Sequence, residues 1–287
     1  MGAVFALSAF SLWGFFPVYF KAVSHVPAFE VLAHRIVWTV LFVGLVIVLS
    51  GRKQNIRSVF TNKKLLATLL LSSLLVSTNW LVFIWAVAND MVLESSLGYF
   101  INPLVSVALG MLFLKEKLRI WQWLAVALSV LAVGIMIVRL GTVPWVALTV
   151  AITFGFYGLV RKIAVVDAFT GLFIETALIL PPVLIYLIFI GINGTGAFGL
   201  SDLKMDGLLM MAGIMTATPL VLFALATKRL RLSTVGFFQY IAPTGHFLLA
   251  VFLYNEPFTD SHKITFSLIW LALAIYTFDS VAANRKS

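Results

Sequence analysis

Ten apolar runs of membrane-crossing length follow one another along this chain, separated by short polar breaks. A bilayer core about 30 Å thick is crossed by roughly 20 helical residues, and in hydrocarbon the backbone must satisfy its own hydrogen bonds. The runs fall at about 3–22, 28–50, 64–88, 93–114, 119–138, 142–161, 169–191, 206–226, 233–254 and 262–282. The expected fold class is all-α integral membrane, with ten transmembrane helices. Ser24-His25-Val26-Pro27 and Asn89-Asp90 read as tight helix-breaking hinges, and the longest connections are 51–63 and 192–205. Gly191, Gly194, Gly196 and Gly199 mark the second of these as a flexible surface loop.

Composition excludes several classes. Of 287 residues, 62% are hydrophobic and only 11% charged, and the mean hydropathy is +1.07, too little charge to clothe a soluble domain. The net charge of +9 comes from Lys and Arg in short runs between apolar segments, not from an amphipathic face, so it argues for topology and against nucleic acid. Cysteine is absent, which removes disulfides, thiolate nucleophiles and Cys-based metal sites, and the four His do not stand at ligand spacing. There is no Gly-x-x-x-x-Gly-Lys-Ser/Thr loop, no His-Glu-x-x-His helix and no Ser, His and Asp set arguable from spacing. No catalytic residue, metal, cofactor or ATPase partner is expected; the expected partners are a small-molecule substrate and the lipid bilayer. The first run lacks a basic leader and a cleavage site, so it is expected to be retained.

Alternate connections carry the basic residues. Arg52, Lys53, Arg57, Lys63, Lys64, Lys115, Lys117, Arg119, Arg161, Lys162, Lys228, Arg229, Arg231, Arg285 and Lys286 fall on one side; Lys21, Arg139, Lys204 and Lys263 fall on the other. Fifteen against four puts both termini in the cytoplasm.

An internal echo divides the chain. Pro103 is followed thirteen residues later by Glu116, and Pro243 thirteen residues later by Glu256, an offset of 140. Laid on one another, the halves set Trp13-Gly14-Phe15-Phe16 on Phe154-Gly155-Phe156-Tyr157, Lys21 on Lys162, and Arg35 on Glu175. Gly98-Tyr99-Phe100 matches Gly236-Phe237-Phe238, with two extra residues before the second proline. Five helices per half is an odd number, so the halves insert in opposite senses, as five-plus-five inverted repeats over 1–140 and 141–287. Two complete halves in one chain make a monomer a sufficient unit.

Here the chain resembles a family. The strings Leu97-Gly98-Tyr99-Phe100-Ile101-Asn102-Pro103-Leu104, Tyr157-Gly158-Leu159-Val160-Arg161-Lys162, Leu230-Arg231-Leu232-Ser233-Thr234 and Gly236-Phe237-Phe238-Gln239-Tyr240-Ile241 are similar to the RarD subgroup of the drug/metabolite transporter superfamily, EamA type. The resemblance covers essentially the whole chain. It implies an inner-membrane permease whose close relatives are named for chloramphenicol sensitivity and whose wider relatives move amino acids, nucleotide sugars and other metabolites. It also implies a cavity lined mainly by helices 1–4 and 6–9.

Arg35 and Glu175 lie about seven residues inside their spans, where ionisable groups are costly and mark pathways. They enter from opposite surfaces, so they are expected not to pair. Arg35 should line the periplasmic vestibule and Glu175 the cytoplasmic one, unless Arg35 snorkels and Glu175 serves only its helix's first turn or a structural hydrogen bond. A guanidinium in the pathway favours an anionic or zwitterionic cargo. Pro103 and Pro243 read as mid-helix breaks, with Asn102, Gln239 and Tyr240 within a turn, and Gly14, Gly98 and Gly236 allowing gating or close approach. Asn79, Trp80, Tyr99 and Tyr157 offer aromatic and polar walls to a substrate. His34 is a further substrate contact, and His34, His246 and Glu175 are candidates for proton coupling, with a helix-to-helix hydrogen bond as the alternative role for either histidine. Glu116 and Glu256 read as helix-end or interface residues, and Glu94-Ser95-Ser96 as the cap of the fourth helix. The function expected is a secondary active permease or exporter of small metabolites, amino-acid-like or drug-like, working by alternating access with a proton gradient. A passive channel and a membrane-embedded enzyme are the rivals. The first would need a continuous polar stripe and the second a cluster of acid, base and metal ligands, and the isolated polar residues supply neither.

Overall fold

The computed structural model describes residues 1–50, 56, 59–115, 118–199, 202–227, 229 and 238–284, and among these there is no strand. Helix α1 spans Gly2–Ala22, α2 Ala28–Leu49, α3 Lys63–Ala88, α4 Val92–Leu114, α5 Ile120–Leu140, α6 Trp145–Ile163, α7 Ala168–Ile192, α8 Leu203–Thr227, α9 Ile241–Leu253 and α10 Asp260–Asn284. All but α9 are long and apolar enough to cross a membrane. The ninth span, expected from residue 233, starts inside the undescribed stretch 230–237, and Gly236 and Glu116 also lie outside the described residues.

Local chemistry sets the ends and breaks. Asn62 Oδ1 accepts from Leu65 N–H to start α3, and Asp167 accepts from Phe169 and Thr170 N–H to start α7. Helix α1 stops at Gly14 and restarts at Phe16 with Pro17 in its first turn, because proline has no N–H to continue the ladder. The Pro-to-Glu echo has a backbone counterpart. Lys115 and Asn255, each just before the echoed glutamate, hold φ of +55° and +53°, the left-handed conformation that ends a helix.

Three expectations are corrected here. Helix α4 runs on unbroken through Pro103; at the second proline the expected interruption is present, with residue 238 helical, Gln239 and Tyr240 in a turn, and Pro243 in the first turn of α9, where a missing N–H costs little. Glu94 does not cap its own helix. Its Oε1 accepts from Val146 N–H at 2.9 Å and Ala147 N–H at 3.4 Å, so it caps α6 instead. The loop after α7 is also tied down: Ala197 N–H donates to Glu30 Oε1, and the Phe198 ring lies tilted against the His34 ring, centroids 4.9 Å apart.

The helices interlock across the two halves. Helix α4 packs on α6 as α9 packs on α1; α3 packs on α6 as α8 on α1; α2 packs on α8 as α7 on α3. The pairs α5 with α10, α2 with α7 and α4 with α9 are their own counterparts. The glycines follow the same rule. A Cβ on Gly155 would stand 2.7 Å from Val105 on α4, and a Cβ on Gly245 of α9 would stand 3.0 Å from Gly14 Cα. Polar and apolar residues are distributed inside out relative to a soluble protein. Leu41, Leu45, Ile185, Phe189 and Phe252 are exposed, while Glu30, Arg35, Ser72, Asn79, Glu175 and His246 are buried.

Candidate functional site

Helix α2 carries Arg35 into an aromatic enclosure. Its guanidinium carbon lies 4.1 Å from the Trp80 ring centroid on α3, 5.5 Å from Phe20 and 5.8 Å from Phe16 on α1. Nε donates to Thr216 Oγ1 of α8 at 2.9 Å, and that hydroxyl donates in turn to Ala212 C=O. The residue is 4% exposed, so it does not snorkel. Among the described residues no carboxylate stands within ion-pairing distance of it. Aromatic faces attract a cation but carry no net charge.

Glu175, on α7, is 1% exposed and fully engaged. Ser72 Oγ of α3 donates to Oε1 at 2.6 Å, Tyr157 Oη of α6 lies 3.5 Å from Oε2, and Arg161 Nη1 of α6 lies 3.5 Å from Oε1. Ser73 Oγ donates to the Glu175 carbonyl. Arg161 reaches this depth because Gly171, one turn before Glu175, has no side chain: a Cβ there would stand 2.1 Å from Arg161 Nη1. Arg35 and Glu175 therefore have separate partners. The partners correspond, however. Phe16 and Phe20 serve Arg35 from α1, and Tyr157 and Arg161, each 141 residues later, serve Glu175 from α6.

Aromatic rings join the two sites. Phe20 lies 5.8 Å from Phe83, Phe83 lies 5.8 Å from Tyr99, Tyr99 lies 6.1 Å from Phe154, and Phe154 lies 5.7 Å from Tyr157. Asn79 braces the middle. Its Nδ2 donates to Val150 C=O at 3.0 Å and Thr153 Oγ1 at 3.2 Å, and its Oδ1 accepts from Tyr99 Oη at 3.0 Å. His246 packs its ring 5.1 Å from Phe83, and Nε2 meets Trp13 C=O at 2.9 Å. A carbonyl only accepts, so Nε2 carries the proton; Nδ1 is buried without a hydrogen-bond partner. His34 Nε2 is likewise buried and unpartnered, 3.9 Å from Glu30 Oε1.

The residues expected around a proline-broken midplane are not gathered into one site. Asn102 Oδ1 is buried with no hydrogen-bond partner, but Gln239 is exposed in the turn before α9, and Tyr240 turns to Thr277 and Tyr276 of α10. Two apolar grooves, about 450 Å³ between α1 and α9 and about 300 Å³ between α2 and α8, hold neither Arg35 nor Glu175. Among the described residues no group of His, Asp and Glu could hold a metal ion. Besides the rings of Phe16 and Phe20, three polar contributors escaped sequence reading. Ser72 and Thr216 are hydroxyls in apolar helices with nothing to mark them, and Arg161 was absorbed into the basic end of its helix. The available signal for Arg161 was Gly171, four residues before Glu175 on the same helical face.

A multi-pass helical bundle with inverted halves, polar residues inside and lipid-facing apolar residues outside, is the architecture of a membrane transporter. Residues 1–138 match the EamA-like transporter family. An uncharacterized transporter of Vibrio cholerae is 48% identical over 100% of this chain and 95% of its own length. The protein RarD of Escherichia coli is 44% identical over 100% and 97%. The chloramphenicol-sensitive protein RarD of Pseudomonas aeruginosa is 30% identical over 99% and 96%. One crystal structure shares the fold with a TM-score of 0.61 over 96% of this chain and 97% of the other, at 18% identity. The chain belongs to the EamA-like transporter family, within its RarD group.

Proposed function

We propose that this transporter is a secondary active exporter of small metabolites bearing an anionic group, amino-acid-like or drug-like. The observation that carries the reading is Arg35: a buried cation, held by three aromatic rings and one hydroxyl, with no carboxylate beside it among the described residues. Burying a charge costs several kcal/mol, and cation–π contact returns about 2 kcal/mol. The deficit is met when a cargo carboxylate or phosphate pairs with the free edge of the guanidinium. Trp80, Phe20 and Phe16 then form the apolar wall for the rest of the molecule.

The arrangement of helices suggests how access alternates. The groups α3, α4, α6 and α8, α9, α1 each draw helices from both halves and correspond by the repeat. They tilt against one another about α2 and α7, exposing first one charged site and then the other. The fifteen-to-four bias in basic residues orients the chain in a bacterial cytoplasmic membrane with both termini cytoplasmic, so Glu175 faces the cytoplasmic half and Arg35 the periplasmic half. Glu175 is the group placed to take a proton as the cycle turns, which ties export to the proton gradient. The test is transport in proteoliposomes. Radiolabelled amino acids, other small carboxylates and amphenicols are offered with and without an imposed pH gradient. Gradient-driven accumulation of an anionic or zwitterionic solute supports the reading; equilibration that ignores the gradient indicates a passive pore.

A further inference from the structure

We infer that Arg161 is the gate at the cytoplasmic end of this pathway: its guanidinium, laid in the slot above Gly171, closes the way past Glu175 and must swing out before the site opens. The inference rests on the transporter reading and on its orientation, and it deepens the reading by assigning the barrier at one end. Four observations carry it. Arg161 is the outermost member of the cluster, its side chain 17% exposed against 1% for Glu175 beneath it. The slot is made for it, since any side chain at 171 would overlap the guanidinium, with Nη1, Cζ and Nη2 at 2.1, 2.6 and 2.6 Å from a Cβ. The hold can be released, because Nη1 makes no hydrogen bond and meets Glu175 as an ion pair at 3.5 Å. Directly below lie Tyr157 and Phe154, the start of the aromatic line that leads by Tyr99, Phe83 and Phe20 to Arg35.

The position of Arg161 also corresponds to Phe20, which touches Arg35 in the other half. One half thus places a ring against its charged residue and leaves that charge uncompensated. The other half supplies the counter-ion from its own helix α6. An inverted repeat made asymmetric in this way has one end held shut by an ion pair and the other end without one, so a single conformation is favoured when no cargo is bound.

The chain contains no cysteine, so a single introduced thiol reports access. Ser77 is the site of choice: its Oγ is buried and has no hydrogen-bond partner, and it lies five residues beyond Ser72 along α3, about 7.5 Å deeper. Labelling of Ser77→Cys by a membrane-impermeant maleimide is timed in inverted vesicles, where the cytoplasmic face is outward. Arg161→Gln and Gly171→Ala, which removes the slot while keeping the charge, are each expected to speed labelling about tenfold or more. Arg161→Lys should recover part of the protection. Gly158→Ala on the same helix, with open space around it, should leave the rate unchanged. If Arg161→Gln does not reach the membrane, Gly171→Ala carries the test alone. An unchanged rate in the gate variants, or an equal rise in Gly158→Ala, overturns the proposal. Labelling does not require a cargo, so a flat response strikes the gate alone, whereas failed transport with the labelling response intact strikes the exporter reading alone.

Discussion

The guanidinium carbon of Arg35 lies 4.1 Å from the centroid of the Trp80 ring, and Thr216 is its one hydrogen-bonding neighbour among the described residues. A charge enclosed this way is an expensive element of the resting protein. Replacing a buried charge by an apolar residue of similar volume is often neutral or stabilising by about 1–4 kcal/mol. Arg35→Met is therefore expected to hold or raise the thermal midpoint in detergent while abolishing transport. Trp80→Leu should lower the midpoint, because it strips the ring from a charge that stays. A marked destabilisation by Arg35→Met would identify Arg35 as structural.

Helix contacts that cross the halves should be intolerant of a single methyl. A Cβ at Gly98 would stand 2.6 Å from the Ala147 carbonyl oxygen, and one at Gly213 would stand 2.5 Å from the Trp38 backbone. Backbone cannot move aside as a side-chain tip can. Gly98→Ala and Gly213→Ala should each cost about 1–3 kcal/mol. Gly134→Ala, which meets nothing within 4 Å, should be neutral or slightly stabilising. Thermal unfolding of the purified variants reads all three.

Much of this fold was legible because a bilayer forces it. The apolar runs had to be helices, and the offset of 140 between Arg35 and Glu175 marked two corresponding positions. What escaped was what neighbouring helices supply. Nothing local says that Pro103 would leave α4 continuous, that Glu94 would cap α6, or that Gln239 would be exposed in the turn before α9. Thr216 and Ser72 become readable only once α8 is seen against α2 and α3 against α7. Long-range pairing of this kind leaves no periodicity in a single sequence.

The break in α1 has its own signature. Pro17 offers no N–H to the carbonyl four residues back, which is Trp13's, and His246 Nε2 meets that carbonyl at 2.9 Å. A backbone N–H at the end of the first helical segment also reaches this carbonyl, so His246→Phe removes a second donor and should cost about 0.5–1.5 kcal/mol. Pro17→Ala returns a backbone N–H, so the double variant should lose less than the sum of the singles, with a coupling of about 0.5 kcal/mol or more. Strict additivity in unfolding experiments would separate His246 from the break.

Glu256 sets a pH dependence at the connection between α9 and α10. Its carboxylate accepts from Val92 and Leu93 N–H at 2.8 Å each and caps α4. Burial nonetheless holds its pKa above the ordinary 4.5, outweighing the pull of Leu93, Val92 and Lys21, with Asp90 adding to the rise. The folded state thus binds the proton more tightly than the unfolded one. The stabilisation is full below 4.5 and is lost as pH rises through the folded value. Glu256→Gln should flatten that decline, and an unchanged slope in pH-resolved unfolding would assign it to another group.

The central claim is that Arg35 receives the anionic group of the cargo. The most direct measurement is the thermal shift of the purified wild type and Arg35→Met with a panel of amino acids, other small carboxylates and their amides. Binding to the folded state alone stabilises by about 2.7 kcal/mol at a hundredfold excess over Kd. The account predicts that one or more carboxylates stabilise the wild type, that the matching amides do not, and that Arg35→Met is folded but silent. Equal shifts from acid and amide, a shift that survives Arg35→Met, or no response of the wild type to any anion would contradict it.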